Sequence, residues 1–231
     1  MSKFSSASTR LLLGCHNLRL YCVASRYFEK APRNAATCKL VWATKDRSVV
    51  VAIPDYNALI SQVETLSPRP NSRVHGTRHW KHVALIGHRL VKVMPAADPL
   101  VVLLFALFHD AGRQNEWGDP QHGARGAALA RHLHGSLFSL TLAQLALLTT
   151  ACEGHTAGRL AEDPTIGTCR DADRLNLWRI GRSPDARYLS TAEARTPETI
   201  AWARNLLHLD PTSDAVVQQY SPLLKPSFHQ R

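Results

Sequence analysis

Hydrophobic and polar positions alternate in blocks along the second half of this chain, and almost every block repeats with a period near 3.6. The most apolar block is Val101-Val-Leu-Leu-Phe-Ala-Leu-Phe108, which runs without a break into His109-Asp110. Asp98 can cap it and Pro99 suits the first helical turn, so the block predicts a helix. A helix apolar on every side is buried, which carries His109 and Asp110 to the edge of the core. Before it, Asp55 can cap a helix with Leu59, Ile60, Val63 and Leu66 on one face, ended by Ser67-Pro-Arg-Pro70. A second helix is expected over 77–93, where His79, Val83, Ile86 and Leu90 are spaced by four, three and four. Further helices are expected over 121–134, 141–152, 169–180 and from 196 to about 209. Loops are expected over 112–120, 157–168 and 181–190, where Gly, Pro and polar residues cluster. These elements imply one all-α domain over 54–210. The flanks read as an N-terminal extension, 1–53, poorly ordered or with a small hairpin over 39–53, and a tail, 211–231, irregular after a short helix.

Composition changes this picture in three places. The chain has 231 residues and a formal charge of +10. Residues 1–52 carry nine Lys/Arg against two acids, +7, leaving only +3 for the rest. The basic surplus therefore argues little for nucleic-acid binding by the helical domain, whose charge still suits an anionic substrate. Five cysteines form no CxxC pair, which argues against a zinc ribbon or disulfide framework and for a reducing, cytoplasmic setting. No apolar run reaches the ~18 residues of a membrane span. Residues 11–15, Leu-Leu-Leu-Gly-Cys, bear a faint likeness to a lipoprotein box.

The chemistry lies in the order of histidines and aspartates. His79 sits on the second helix and His109-Asp110 ends the apolar one. Asp173 follows in Asp171-Ala-Asp173-Arg174-Leu175. Over about 75–180 this order resembles the HD-domain superfamily of metal-dependent phosphohydrolases. The resemblance implies an HD-like helical bundle with His79, His109, Asp110 and Asp173 as metal ligands. Two imidazoles and two carboxylates suit a divalent ion such as Mn, Fe, Zn, Co, Ni or Mg. His122 and His155 match the order of the extra histidines in binuclear members and offer a second metal site; the GYP signature of one such group is missing. His82 competes with His79 from an expected surface position. Asp171 reads as an acid near a helix N-terminus, and Arg174 as a salt-bridging residue.

A metal ion activates water near neutral pH, so the implied reaction is hydrolysis of a phosphate ester, nucleotide-like or a small phosphomonoester, with Asp110 at the catalytic centre. Several mononuclear members, including the (p)ppGpp hydrolases, carry Glu three residues after the aspartate. Here that position is Arg113, and Glu116 is the nearest substitute for general acid or base. Arg113 can clamp a phosphate; Arg159, Arg182 and Arg187 are further phosphate-binding candidates. Two other readings are a nucleic-acid-associated scaffold without turnover, using the basic arm, and a di-iron oxygenase, which some HD folds house.

Overall fold

The computed structural model describes residues 55–158 and 160–224. The hairpin expected over 39–53, the basic extension and Arg159 lie outside the described residues. Within them the protein is all-helical: eight α-helices and short 3₁₀ turns, with no strand beyond an isolated bridge between His134 and Phe138.

The helices are α1 (Tyr56–Leu66), α2 (Thr77–Val93), α3 (Pro99–Phe108), α4 (His122–Leu133), α5 (Leu142–Gly154), α6 (Pro164–Leu175), α7 (Pro197–Asn205) and α8 (Ser213–Leu224). Their starts are written in cap chemistry. Asp55 accepts from Ala58 N–H, and Asp98 accepts from Leu100 and Val101 N–H with Pro99 in the first turn. Thr141 and Gln144 form a reciprocal capping box at α5. Thr196 caps α7 ahead of Pro197.

Helix α3 is the axis. It packs against α1, α2, α4, α5, α6 and α8, and Leu100 to Phe108 are all buried. Each such side chain contributes about 1.5–3 kcal/mol on burial, so the apolar block is what draws the other helices together. Two glycines set how closely they approach the end of α3. A Cβ on Gly126 of α4 would lie 2.1 Å from the Phe108 carbonyl oxygen, and one on Gly123 would lie 2.2 Å from that of Cys152. No other residue fits either place, so α4 presses its first turn against the ends of α3 and α5.

The structure departs from the sequence reading at α6 and at the C-terminal end. Helix α6 starts at Pro164, inside the expected 157–168 loop, because Asp163 accepts from Thr165 and Ile166 N–H at 2.9 Å and Pro164 fits the first turn. It stops at Leu175, and Asn176–Ile180 form a 3₁₀ turn rather than its continuation. The core also runs past residue 210. Val216 and Tyr220 of α8 are buried, and Tyr220 Oη–H donates to the Ala84 carbonyl at 3.0 Å.

Candidate metal centre

His79 projects from the first turn of α2, while His109 and Asp110 follow the last residue of α3. His122 opens α4, His155 ends α5, and Asp173 lies in the last turn of α6. Five helices thus deliver six side chains to one buried place.

Each imidazole has one nitrogen spent on an oxygen acceptor. His109 Nδ1 lies 3.1 Å from the carbonyls of Phe105 and Ala106, and His155 Nδ1 lies 2.7 Å from that of Cys152. His122 Nδ1 meets the Asp119 carbonyl, and His79 Nδ1 lies 2.8 Å from Asn176 Oδ1. A backbone carbonyl only accepts, so Nδ1 must carry the proton in His109, His122 and His155, and the Asn176 amide does the same for His79. In the neutral rings every Nε2 is then a bare lone pair aimed inward. This is the outer-shell pattern that fixes metal-binding histidines.

The inward atoms sort into two groups, His79–His109–Asp173 and Asp110–His122–His155, each able to hold a metal ion. In the first, His79 Nε2 is 3.0 Å from His109 Nε2 and 3.3 Å from Asp173 Oδ1. In the second, His122 Nε2 is 2.9 Å from His155 Nε2 and 3.2 Å from Asp110 Oδ1. Donors about 2.1 Å from one ion stand about 3.0–3.5 Å apart at right-angle to tetrahedral geometry, so both sets have the right spread. Asp110 serves both: Oδ2 faces His79 at 3.5 Å and His109 at 3.7 Å, while Oδ1 faces His122 and His155. Asp173 Oδ1 has no hydrogen-bond partner although it is buried. Arg179 Nη1, 3.5 Å away, balances part of its charge, but a buried carboxylate oxygen facing imidazole lone pairs still favours a cation between them, so the donor set fits a metal ion by its own chemistry.

The electrostatics show that the surroundings of Asp110 favour added positive charge. Burial alone would raise the Asp110 carboxyl, but His109, His122, His155 and His75 together hold it well below the usual range. Burial pushes His109 down to about 3, which keeps its ring neutral. For His155 burial works the same way, but Asp110 and Asp173 outweigh it and raise the pKa.

Around this core the remaining candidates fall in different places. Arg113 is buried, with Nε 3.4 Å from Asp110 Oδ1, one Nη on the Asn115 and Trp117 carbonyls and the other 3.4 Å from His122 Nε2. Glu116 accepts from Arg69 at 2.9 Å and from Ser72 Oγ at 2.9 Å. His82 is buried rather than on the surface, because its Nε2–H donates to the Leu209 carbonyl at 3.0 Å, away from the cluster. Asp171 lies in the body of α6, not at a helix start; it accepts from Ser190 and Thr191 N–H at 2.7 Å and anchors that loop. Arg187 is paired with Asp185 at 2.7 Å. Arg174 reaches the Tyr188 carbonyl. Arg182 lines a cavity of about 400 Å³ that begins at His155 and Asp173 and continues past Thr156, Leu177, Ser183 and Tyr188.

Three contributors were not read from the sequence. His75 Nδ1 donates to Asp110 Oδ2 at 2.9 Å from just before α2. Asn176 orients His79, and Arg179 Nη1 stands 3.5 Å from Asp173 Oδ1. Asn176 follows Asp173 by three, a spacing that puts both on one helix face, so its signal was present. No family model, curated protein or solved structure matches the chain. No helix among the described residues is long and apolar enough to cross a membrane.

Proposed function

We propose that the protein is an HD-type phosphohydrolase holding two divalent metal ions, with His79, His109 and Asp173 at one, His122 and His155 at the other, and Asp110 between them. The observation that carries this reading is the division of the Asp110 carboxylate, one oxygen toward each pair of bare histidine nitrogens. A divalent ion there would supply Lewis acidity, lowering the pKa of bound water and polarising a phosphoryl oxygen.

The chain's own residues do the rest. His75 and Arg113 fix the Asp110 carboxylate from opposite oxygens. We assign Arg113 to this positioning role rather than to the phosphate clamp expected from the sequence, since its Nε faces Asp110 Oδ1 and one Nη is held by the Asn115 and Trp117 carbonyls. The cavity past His155 and Asp173 receives the substrate: Arg182 offers a cation for a phosphate, Leu177 and Tyr188 an apolar wall. Its volume, at the lower end of ligand pockets, suits a mononucleotide-sized or smaller phosphomonoester. We assign Glu116 to the loop bearing His75, through Ser72 and Arg69, rather than to proton transfer.

A di-iron oxygenase is the second reading, favoured by the arrival of both extra histidines at Asp110. One experiment separates the two. The purified chain is loaded with Mn²⁺, Co²⁺, Ni²⁺ or Fe²⁺ and offered a panel of phosphomonoesters, with released phosphate and consumed oxygen both recorded. Phosphate release without oxygen uptake is expected. Oxygen-dependent turnover only with iron would replace the proposal by the oxygenase.

A further inference from the structure

A second cavity, of about 200 Å³, is lined in part by His79. Its walls include Arg73, Arg78, Arg179, His82 and Asn176. Arg73 is exposed and makes no hydrogen bond or ion pair with a described residue. Arg78 spends one nitrogen on the carbonyls of Leu207 and Leu209, and its only ion-pair partner among the described residues is the exposed Asp210 at 4.0 Å. Arg179 is held in place by the carbonyls of Val74 and Asn176 and leans on Asp173 at 3.5 Å. Three guanidinium groups thus share one small space with no acid committed to Arg73. The start of α2 adds to the field, for its N-cap is Gly76, which offers no side-chain oxygen to the free N–H groups.

A second observation points the same way independently. Asn176 is fully buried, and its Oδ1 is taken by His79. Its Nδ2, in a residue that lines this cavity, has no hydrogen-bond partner. A buried amide donor left unmatched is unfavourable, and an acceptor reaching it from the cavity would satisfy it.

We propose that this cavity binds a phosphate-class dianion, gripped by Arg73, Arg78 and Arg179 with Asn176 Nδ2 as the innermost donor. Guanidinium forks match phosphate oxygens in geometry as well as charge. The volume admits one phosphate group, free or as the end of a monoester whose remainder extends toward solvent. The site adjoins the metal centre, since His79 lines both, but it does not depend on the hydrolase reading. It touches that centre through Asn176, because an anion on Nδ2 would hold Oδ1 toward His79.

The test is titration of the full chain with orthophosphate and with phenyl phosphate, read by calorimetry and by the side-chain amide resonance of Asn176. Saturable binding of either probe with a shifted Asn176 amide is expected, the tighter probe telling free ion from ester. Arg73→Glu should weaken binding about 10- to 100-fold, the range of lost charge-assisted hydrogen bonds. Arg73 is exposed and unbonded, so an unchanged melting curve should accompany the loss. Binding that survives Arg73→Glu belongs to the metal centre and overturns the proposal, as does an Asn176 amide that stays still at saturation.

Discussion

His109 shows how one residue's surroundings decide its chemistry. Carbonyls of the α3 turn before it take its Nδ1 proton, and burial keeps the ring neutral. What remains is a lone pair pointed at Asp173 and His79. Asn176 does for His79 what the helix carbonyls do for His109. Asn176→Leu keeps the volume and removes that acceptor, so the metal dissociation constant should rise about 10- to 100-fold. Competition against a chromophoric chelator measures it, and an unchanged constant would mean that Asn176 does not set the tautomer. Glu116 gives the opposite test. A residue that moves the proton would cost about 10²–10⁴ in kcat when changed to Gln. Held by Arg69 and Ser72, Glu116 is expected to cost less than about tenfold, the scale of an exposed ion pair; kcat at saturating metal decides.

At the scale of elements, the site is a consequence of helix ends. All six inward side chains sit in the first or last turn of a helix or just past one, where the chain turns away from the α3 axis. This part was legible because the signals were local: Asp98-Pro99 before an unbroken apolar run, Thr141 with Gln144, Thr196-Pro197. The start of α6 used the same Asp-Pro signal, at Asp163-Pro164, but Gly158 and the polar residues around it read as loop and hid it. His82 was misplaced for a different reason. Its cover comes from Leu209, 127 residues away, and no local pattern reports so distant a partner. The glycines of α4 are testable here. Gly126→Ala puts a methyl against the Phe108 carbonyl, so α4 must move off α3. Overpacking of this kind costs about 1–3 kcal/mol, or a Tm drop of about 2–4 °C per kcal/mol for a chain of this size. Gly118→Ala, which meets nothing within 4 Å, should leave Tm unchanged and serves as the control.

For the whole molecule, His82 ties α2 to the segment leading into α8, and burial lowers its pKa from the ordinary 6.5. The folded state therefore prefers the neutral ring. Its contribution is fully present above pH 6.5 and is lost as the pH falls below that value, where the unfolded chain takes the proton more readily. Arg78 adds to the lowering and Asp210 opposes it. Tm should fall more steeply between pH 7 and 5 in the wild type than in His82→Gln, and parallel slopes would remove His82 from the account. The two-group centre could be read only in part from the sequence. The order His79, His109-Asp110, Asp173 was visible, and His122 and His155 stood in line, but that Asp110 divides between them is a fact of five helices meeting at one point. Metal content per chain tests that division most directly. Elemental analysis of the metal-loaded wild type should find two divalent ions per chain, His155→Ala one, and Asp110→Ala none above background with helical circular dichroism retained. Full metal content in folded Asp110→Ala, or a wild type that takes up none under saturating metal, would contradict the account.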